Sequence, residues 1–270
     1  MTERRLGFEK WQGLGNDFLV VEARELPADV DDRVIRALCD RRFGVGGDGV
    51  LIVGQAEGVD ATMIVRNADG SRPEMCGNGL RCVVGALRAQ GRVGESAVVR
   101  TDAGELACLV EPVGDDASVS VEVAMGKVSF GDELSVEVDG VLHRFLTASI
   151  GNPHAVSFEP YGEAERDRVA PIVEKAPRGA TNVEFVRVEG THIDVVVWER
   201  GVGYTLACGT GACAVAAVAV HEGRAPRGEP LRVSLPGGEL AIRVDPSDWS
   251  VRMRGPAVRV FEGTTTIAER

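Results

Sequence analysis

The sequence predicts an α+β fold of two duplicated, pseudo-twofold-related domains, each a strand-rich, barrel-like sheet around a buried helix. Three observations carry this: an internal repeat, short alternating apolar runs, and two helical stretches made of small residues. The repeat begins with Gly15-Asn16-Asp17-Phe18 before Leu19-Val20-Val21, matched by Gly151-Asn152-Pro153-His154 before Ala155-Val156-Ser157-Phe158. It continues with Met75-Cys76-Gly77-Asn78-Gly79 and Ala207-Cys208-Gly209-Thr210-Gly211. Each Cys-Gly-x-Gly opens a helical stretch that ends in Gly-Arg, at Gly91-Arg92 and Gly223-Arg224. Gly104-Glu105-Leu106-Ala107 then answers to Gly238-Glu239-Leu240-Ala241. Four matches in one order, at offsets between 132 and 136 residues, are the trace of a duplication.

The elements follow from period and punctuation. Val50 to Val53, Val98-Val99, Val119 to Val123, Ile193 to Trp198 and Leu240 to Val244 read as strands. Asp31 to Arg42 reads as an amphipathic helix with Val34, Ile35 and Leu38 on one face. Val83 to Gln90 and Ala212 to His221 read as helices rich in Ala and Val, suited to burial inside a barrel or tightly against a sheet. Gly114-Asp115-Asp116 is the predicted linker, giving halves 1–117 and 118–258.

Composition narrows the function classes. The 270 residues carry 41 acidic and 30 basic side chains, a net charge of −11, which disfavours nucleic acid or an anionic membrane as partner. The longest apolar run, Ala212 to Val220, is too short to span a bilayer, and Met1 to Arg5 lead into a mixed segment unlike a signal core. A cytoplasmic location is expected. The six cysteines, Cys39, Cys76, Cys82, Cys108, Cys208 and Cys213, are expected as reduced thiols, and their spacings without a nearby His disfavour a metal site.

The repeated Cys-Gly-x-Gly has chemical content. A cysteine just before a helix start sits among unpaired N–H groups and the positive end of the helix dipole, which is expected to lower its pKa. The same N–H groups suit a substrate carboxylate. Two such thiols brought to one cleft by a pseudo-twofold axis would form the opposed acid–base pair that inversion at a stereocentre requires. Pyridoxal chemistry would need a lysine, and Lys10, Lys127 and Lys175 lie in no convincing motif, so a cofactor-free route is expected. Gly44-Val45-Gly46-Gly47-Asp48-Gly49 matches a dinucleotide fingerprint only formally. It follows a helical pattern and opens a strand, the reverse of the required order, and reads as a helix-to-strand turn, with a chance of bordering the cleft.

With these blocks in place the chain resembles the diaminopimelate epimerase family. The resemblance rests on Gly13 to Phe18, Asn67-Ala68-Asp69-Gly70-Ser71, Cys76 to Cys82, Gly151 to His154, and Glu199-Arg200-Gly201 through Ala207 to Ala212. It implies an isomerase, independent of metal and pyridoxal phosphate, that interconverts LL- and meso-2,6-diaminopimelate with Cys76 and Cys208 as catalytic residues. It further implies substrate contacts from Asn16, Asn67, Gly77, Asn78, Asn152, Asn182, Glu199, Arg200, Gly209 and Thr210. His154 and Glu199 would tune the thiols. A homodimer, and a final strand of each half that crosses into the other (the tail 259–270 returning to the first half), are also implied. Gly49 departs from members that carry Gln there.

Alternatives remain open on the residues alone. Asn16 and Asn152 could simply hold turns, His154 could be a surface turn residue, Asn182 a strand-entry residue and Glu199-Arg200 a solvated pair. Two other functions compete: a racemase of proline, hydroxyproline or histidine on the same fold, and a non-enzymatic protein that keeps an amino-acid cleft. Asn78 argues against the proline group, and two retained thiols argue against mere binding.

Overall fold

The computed structural model describes residues 3–27, 30–73, 75–113, 117–176 and 180–268, so the expected linker Gly114-Asp115-Asp116 lies outside the described residues. The chain forms two compact units, one of residues 1–123 and 255–270, the other of residues 124–254. The division expected at 117/118 from turn composition falls at 123/124, inside a strand. The strand Ser118–Lys127 spans that point, its burial alternating as far as Met125.

The first unit contains β1 (Glu3–Gly13), β2 (Asn16–Glu22), α1 (Asp32–Cys39), β3 (Gly49–Gly54), β4 (Ala61–Asn67), α2 (Gly77–Ala89), β5 (Ser96–Thr101), β6 (Gly104–Pro112) and most of β7 (Ser118–Lys127). Neighbours in the sheet are β1–β2 antiparallel, β2–β3 parallel, β3–β4 antiparallel, β4–β5 parallel, then β5–β6 and β6–β7 antiparallel. A last long strand, Ser250–Ala268, pairs antiparallel with β1 from Val258 to Ala268 and also with β7, which closes an eight-stranded ring. Helix α2 packs against β1 to β6 and is buried from Gly77 through Leu87, so it fills the ring's interior.

The second unit contains β8 (Ser129–Phe130), β9 (Leu134–Val138), β10 (Val141–Ser149), β11 (Pro153–Ser157), α3 (Glu163–Glu174), β12 (Asn182–Glu189), β13 (His192–Glu199), β14 (Gly203–Tyr204), α4 (Gly209–His221), β15 (Leu231–Leu235), β16 (Gly238–Val244) and the start of the last strand, β17. Its pairings β10–β11, β11–β12, β12–β13, β13–β15, β15–β16 and β16–β17 run antiparallel, parallel, antiparallel, parallel, antiparallel, antiparallel. That is the first unit's sequence of senses, step for step. Strand β17 meets β16 at residues 251–254 before it reaches β1.

The helix ends explain themselves locally. Asp31 caps α1 by accepting from Arg33 N and Val34 N at 2.9 and 3.1 Å. The helix stops at Cys39, three residues short of the expected Arg42, because the Asp40 carboxylate accepts from Arg42 N and Phe43 N and turns the chain. Helices α2 and α4 end identically. Gly91 and Gly223, each at φ +68°, close a Schellman turn, with Arg92 N to Leu87 O at 2.9 Å and Arg224 N to Ala219 O at 2.8 Å. Helix α4 is buried on every face from Ala212 to Val220, and its Ala and Val side chains let the surrounding strands approach closely. Among the described residues no helix is long and apolar enough to cross a membrane.

Candidate active site

In the first unit the turn Gly13-Leu14-Gly15-Asn16 delivers Asn16. Leu14 and Gly15 both hold positive φ, +57° and +81°, as a type I′ hairpin demands. Asn16 Nδ2 donates to Asp48 Oδ2 at 2.7 Å, and its Oδ1 accepts from Asn78 Nδ2 at 3.2 Å. An ionised carboxylate only accepts, so Asp48 fixes which way the Asn16 amide points. Asp48 also accepts Asp17 N on the same oxygen and Ala68 N on its carbonyl, tying the Asn16 turn to the Asn67–Ser71 turn. Asn67 itself donates from Nδ2 to Ser71 Oγ at 2.9 Å. Cys76 stands at the N-cap of α2, half-buried, and its sulfur accepts from Gly79 N at 3.3 Å. Gly77 and Asn78 are the first two helical residues, so their N–H groups lie in the unpaired first turn.

The second unit repeats this at Cys208, the N-cap of α4, whose sulfur accepts from Gly211 N at 3.3 Å and lies 3.5 Å from the Thr210 hydroxyl. Gly209 and Thr210 occupy the first two helical positions. His154 is fully buried, with Nδ1 2.7 Å from Glu184 Oε1 and Nε2 3.1 Å from Asn152 Oδ1. Asn182 is also buried. Its Nδ2 donates to Pro153 O at 3.3 Å and its Oδ1 accepts from Arg200 N at 3.0 Å, so it ties β11 to the end of β13. Glu199 accepts from the Thr205 hydroxyl at 2.6 Å, and Arg200 Nη1 donates to Ala180 O at 3.3 Å.

One expectation needs correction. A helix start lowers a thiol pKa, yet Cys208 is pushed well above its usual value. Burial is the main cause, followed by the negative charges of Glu199 and Glu184, and the opposing hydrogen bonds from Thr210 and Gly211 do not outweigh them. Of the other cysteines, burial pushes Cys39 up to about 11 and Cys82 and Cys108 up to about 12, as inert core thiols. All six are free. Among the described residues no three His, Cys, Asp or Glu side chains are grouped to hold a metal ion.

The family model described as diaminopimelate epimerase matches residues 8–131 and 146–260. The chain belongs to the diaminopimelate epimerase family. It is 42% identical to the diaminopimelate epimerase of Synechococcus sp. (strain JA-3-3Ab), over 97% of this chain and 98% of that one. It is 42% identical to that of Desulfitobacterium hafniense, over 94% and 96%, and 38% identical to the chloroplastic protein of Oryza sativa subsp. japonica, over 97% and 81%. Among solved structures, a hydroxyproline epimerase from Agrobacterium vitis superposes with a TM-score of 0.75 at 15% identity, covering 98% of this chain and 94% of that one. A phenazine biosynthesis protein of Bacillus anthracis gives 0.73 at 18%, covering 99% and 100%. At such identities these two speak for the fold alone.

Within this member of the diaminopimelate epimerase family, strand register extends the equivalences of the sequence repeat. Phe18 pairs with Gly49 as His154 pairs with Asn182, and Val20 pairs with Leu51 as Val156 pairs with Glu184. Gly49 faces Asn67, while Val183 faces Trp198, which sets Asn182 opposite Glu199. Phe18, Gly49, Leu51 and Asn67 therefore answer to His154, Asn182, Glu184 and Glu199. Two residues escaped sequence reasoning. Asp48 was hidden in the rejected glycine-rich motif. Glu184 left a readable signal, a lone carboxylate inside the apolar run Asn182-Val183-Glu184-Phe185-Val186.

Proposed function

We propose that this chain interconverts LL- and meso-2,6-diaminopimelate without a cofactor, using Cys76 and Cys208 as opposed acid and base, in the cytoplasm and as a homodimer. The observation that carries the reading is that both cysteines cap a glycine-opened helix at equivalent points of a duplicated sheet, each with its sulfur 3.3 Å from an N–H three residues on. One sulfur, as thiolate, takes the Cα hydrogen as a proton. The bonding pair moves into the carboxylate, and the N–H groups of Gly77-Asn78 and Gly209-Thr210 stabilise the charge that develops there. The other sulfur gives its proton to the opposite face of Cα, so the two sulfurs end with exchanged protonation and reset through solvent. Asn67, Asn152, Asn182, Glu199 and Arg200 would take the remaining polar groups. Proline or alanine lacks the second amino-acid end that they would meet, and a site built to hydrogen-bond a group discriminates against analogues without it.

The test is turnover of single diaminopimelate stereoisomers in deuterium oxide, with proline, histidine, lysine and glutamate as controls. Product should carry deuterium at Cα early while recovered substrate carries none, since a thiol holds one proton. Rapid exchange into unreacted substrate, or faster racemisation of proline or histidine, would overturn the assignment. Sedimentation equilibrium of the purified protein checks the dimer.

A further inference from the structure

Glu184 lies near the start of β12 between Val183 and Phe185 and has no exposed surface. Its Oε1 reaches His154 Nδ1, and its Oε2 accepts no hydrogen bond from the described residues. The equivalent positions of the first unit carry Leu51 and Phe18, an apolar pair. The fold therefore accommodates a plain hydrophobic solution at this spot and uses one in its other half. A buried carboxylate and imidazole must be desolvated, and apolar residues of similar volume would be as stable or more so. Stability alone gives no reason for the ionisable pair.

Its surroundings give one. A Cβ at Gly211 would sit 2.8 Å from Glu184 Oε1 and 3.2 Å from Cys208 Sγ, so carboxylate and sulfur flank the same glycine of the helix start. In the first unit the matching point at Gly79 is 2.8 Å from a methyl group of Leu51. At its far side His154 Nε2 meets Asn152 Oδ1, which fixes the Asn152 oxygen as the acceptor of that pair. Asn16, its duplicate, directs its amide N–H at Asp48 instead. The two asparagines are thus held in opposite polarity by a carboxylate in one unit and an imidazole–carboxylate pair in the other.

We propose that Glu184 is a positioning residue of the two-thiol reaction: it holds His154 and through it the Asn152 amide, and it sets a carboxylate beside Cys208. The inference rests on the reaction assigned above. It makes the two thiols unlike, one helix start packed on a leucine and the other on a carboxylate.

Two variants test it. Glu184→Gln keeps the shape and removes the charge. Alkylation of Cys208 by iodoacetamide at pH 7, followed peptide by peptide in a mass spectrometer, should quicken about tenfold, the effect of one pKa unit. Cys76 should react at its wild-type rate, and kcat on diaminopimelate should fall while KM changes little. The double variant His154→Phe with Glu184→Leu installs the first unit's own pair. It should melt at or above the wild-type temperature and lose about a hundredfold in kcat. An unchanged Cys208 alkylation rate in Glu184→Gln, or a double variant turning over within threefold of wild type, overturns the role. Wild-type protein inactive on diaminopimelate would instead sink the reaction, and the alkylation and melting arms, which need no substrate, would still judge Glu184.

Discussion

Each catalytic cysteine proposed here is also a helix N-cap, so its replacement perturbs stability and activity in separable ways. The N-cap sulfurs accept from Gly79 N and Gly211 N at 3.3 Å, at extended backbone angles (φ −140° and −124°) that a serine would adopt equally. Cys76→Ser and Cys208→Ser supply a better acceptor at the same point, whereas Cys76→Ala and Cys208→Ala supply none. The difference between serine and alanine at an N-cap is typically about 1 kcal/mol. For a chain of this size that corresponds to roughly 2–4 °C in melting temperature. Calorimetry should therefore rank the serine variants above the alanine variants at both sites. Turnover should rank differently, because a serine hydroxyl does not ionise near neutrality. All four variants should lose about 10²–10⁴-fold, the usual contribution of a positioned acid or base. Serine and alanine variants that melt together would refute the capping role, and a serine or alanine variant with near wild-type turnover would refute the two-thiol mechanism.

Asp48→Asn should loosen the Asn16 amide and raise KM for diaminopimelate severalfold with a smaller effect on kcat, measured by steady-state kinetics, because the carboxylate accepts from Asn16 Nδ2 and Asp17 N on one oxygen. Gly49→Gln should destabilise this chain by about 1–3 kcal/mol, since a Cβ there would lie 2.6 Å from Arg66 O on the paired strand; urea midpoints check it. Burial works against ionisation of Asp17, yet hydrogen bonds from Arg41 and Lys10 hold its pKa at about 2, below the 3.8 of the free group. A depressed carboxylate stabilises above its unfolded pKa, so this contribution, about 2 kcal/mol, should be lost as the pH falls from about 4 to 2. Asp17→Asn should flatten that acid limb in urea titrations, and an unchanged limb would contradict the ion-pair account.

Much of the architecture was legible because duplication writes itself twice. The Cys-Gly-x-Gly and Gly-Arg pairs marked the start and end of both buried helices, and Gly91 and Gly223 share the φ of +68° that only a glycine C-cap accepts easily. What was not legible depended on pairing across strands. Asn67 and Glu199 share a register position but no sequence similarity, and only the parallel and antiparallel partners of Gly49 and Asn182 reveal it. The raised pKa of Cys208 was equally out of reach: the helix-start argument is local, while the burial and the charges of Glu199 and Glu184 that outweigh it come from other strands. Asp48 was read as part of a turn, which it is, but its contacts with Asn16, Asp17 and Ala68 join three segments distant in sequence.

The pattern of what the two halves share and where they diverge matches the demands of the proposed reaction. Inversion at one carbon exchanges a hydrogen between two faces, so one acid–base group must stand on each side. Cys76 and Cys208 share residue type, N-cap position and the capping bond, with N–H to sulfur at 3.3 Å in both. The other three substituents of that carbon are different from one another and must each be held in one way throughout. A duplicated site that stayed symmetric would bind them in two equivalent orientations and gain nothing from the second. Divergence should therefore fall around the thiols and not on them. It does: Phe18 against His154, Gly49 against Asn182, Leu51 against Glu184 and Asn67 against Glu199 all sit on the strands whose register surrounds the helix starts. The apolar pair in one unit and the buried imidazole–carboxylate pair in the other are the extreme case, which is why restoring the symmetric pair is expected to leave the fold intact and cut turnover about a hundredfold.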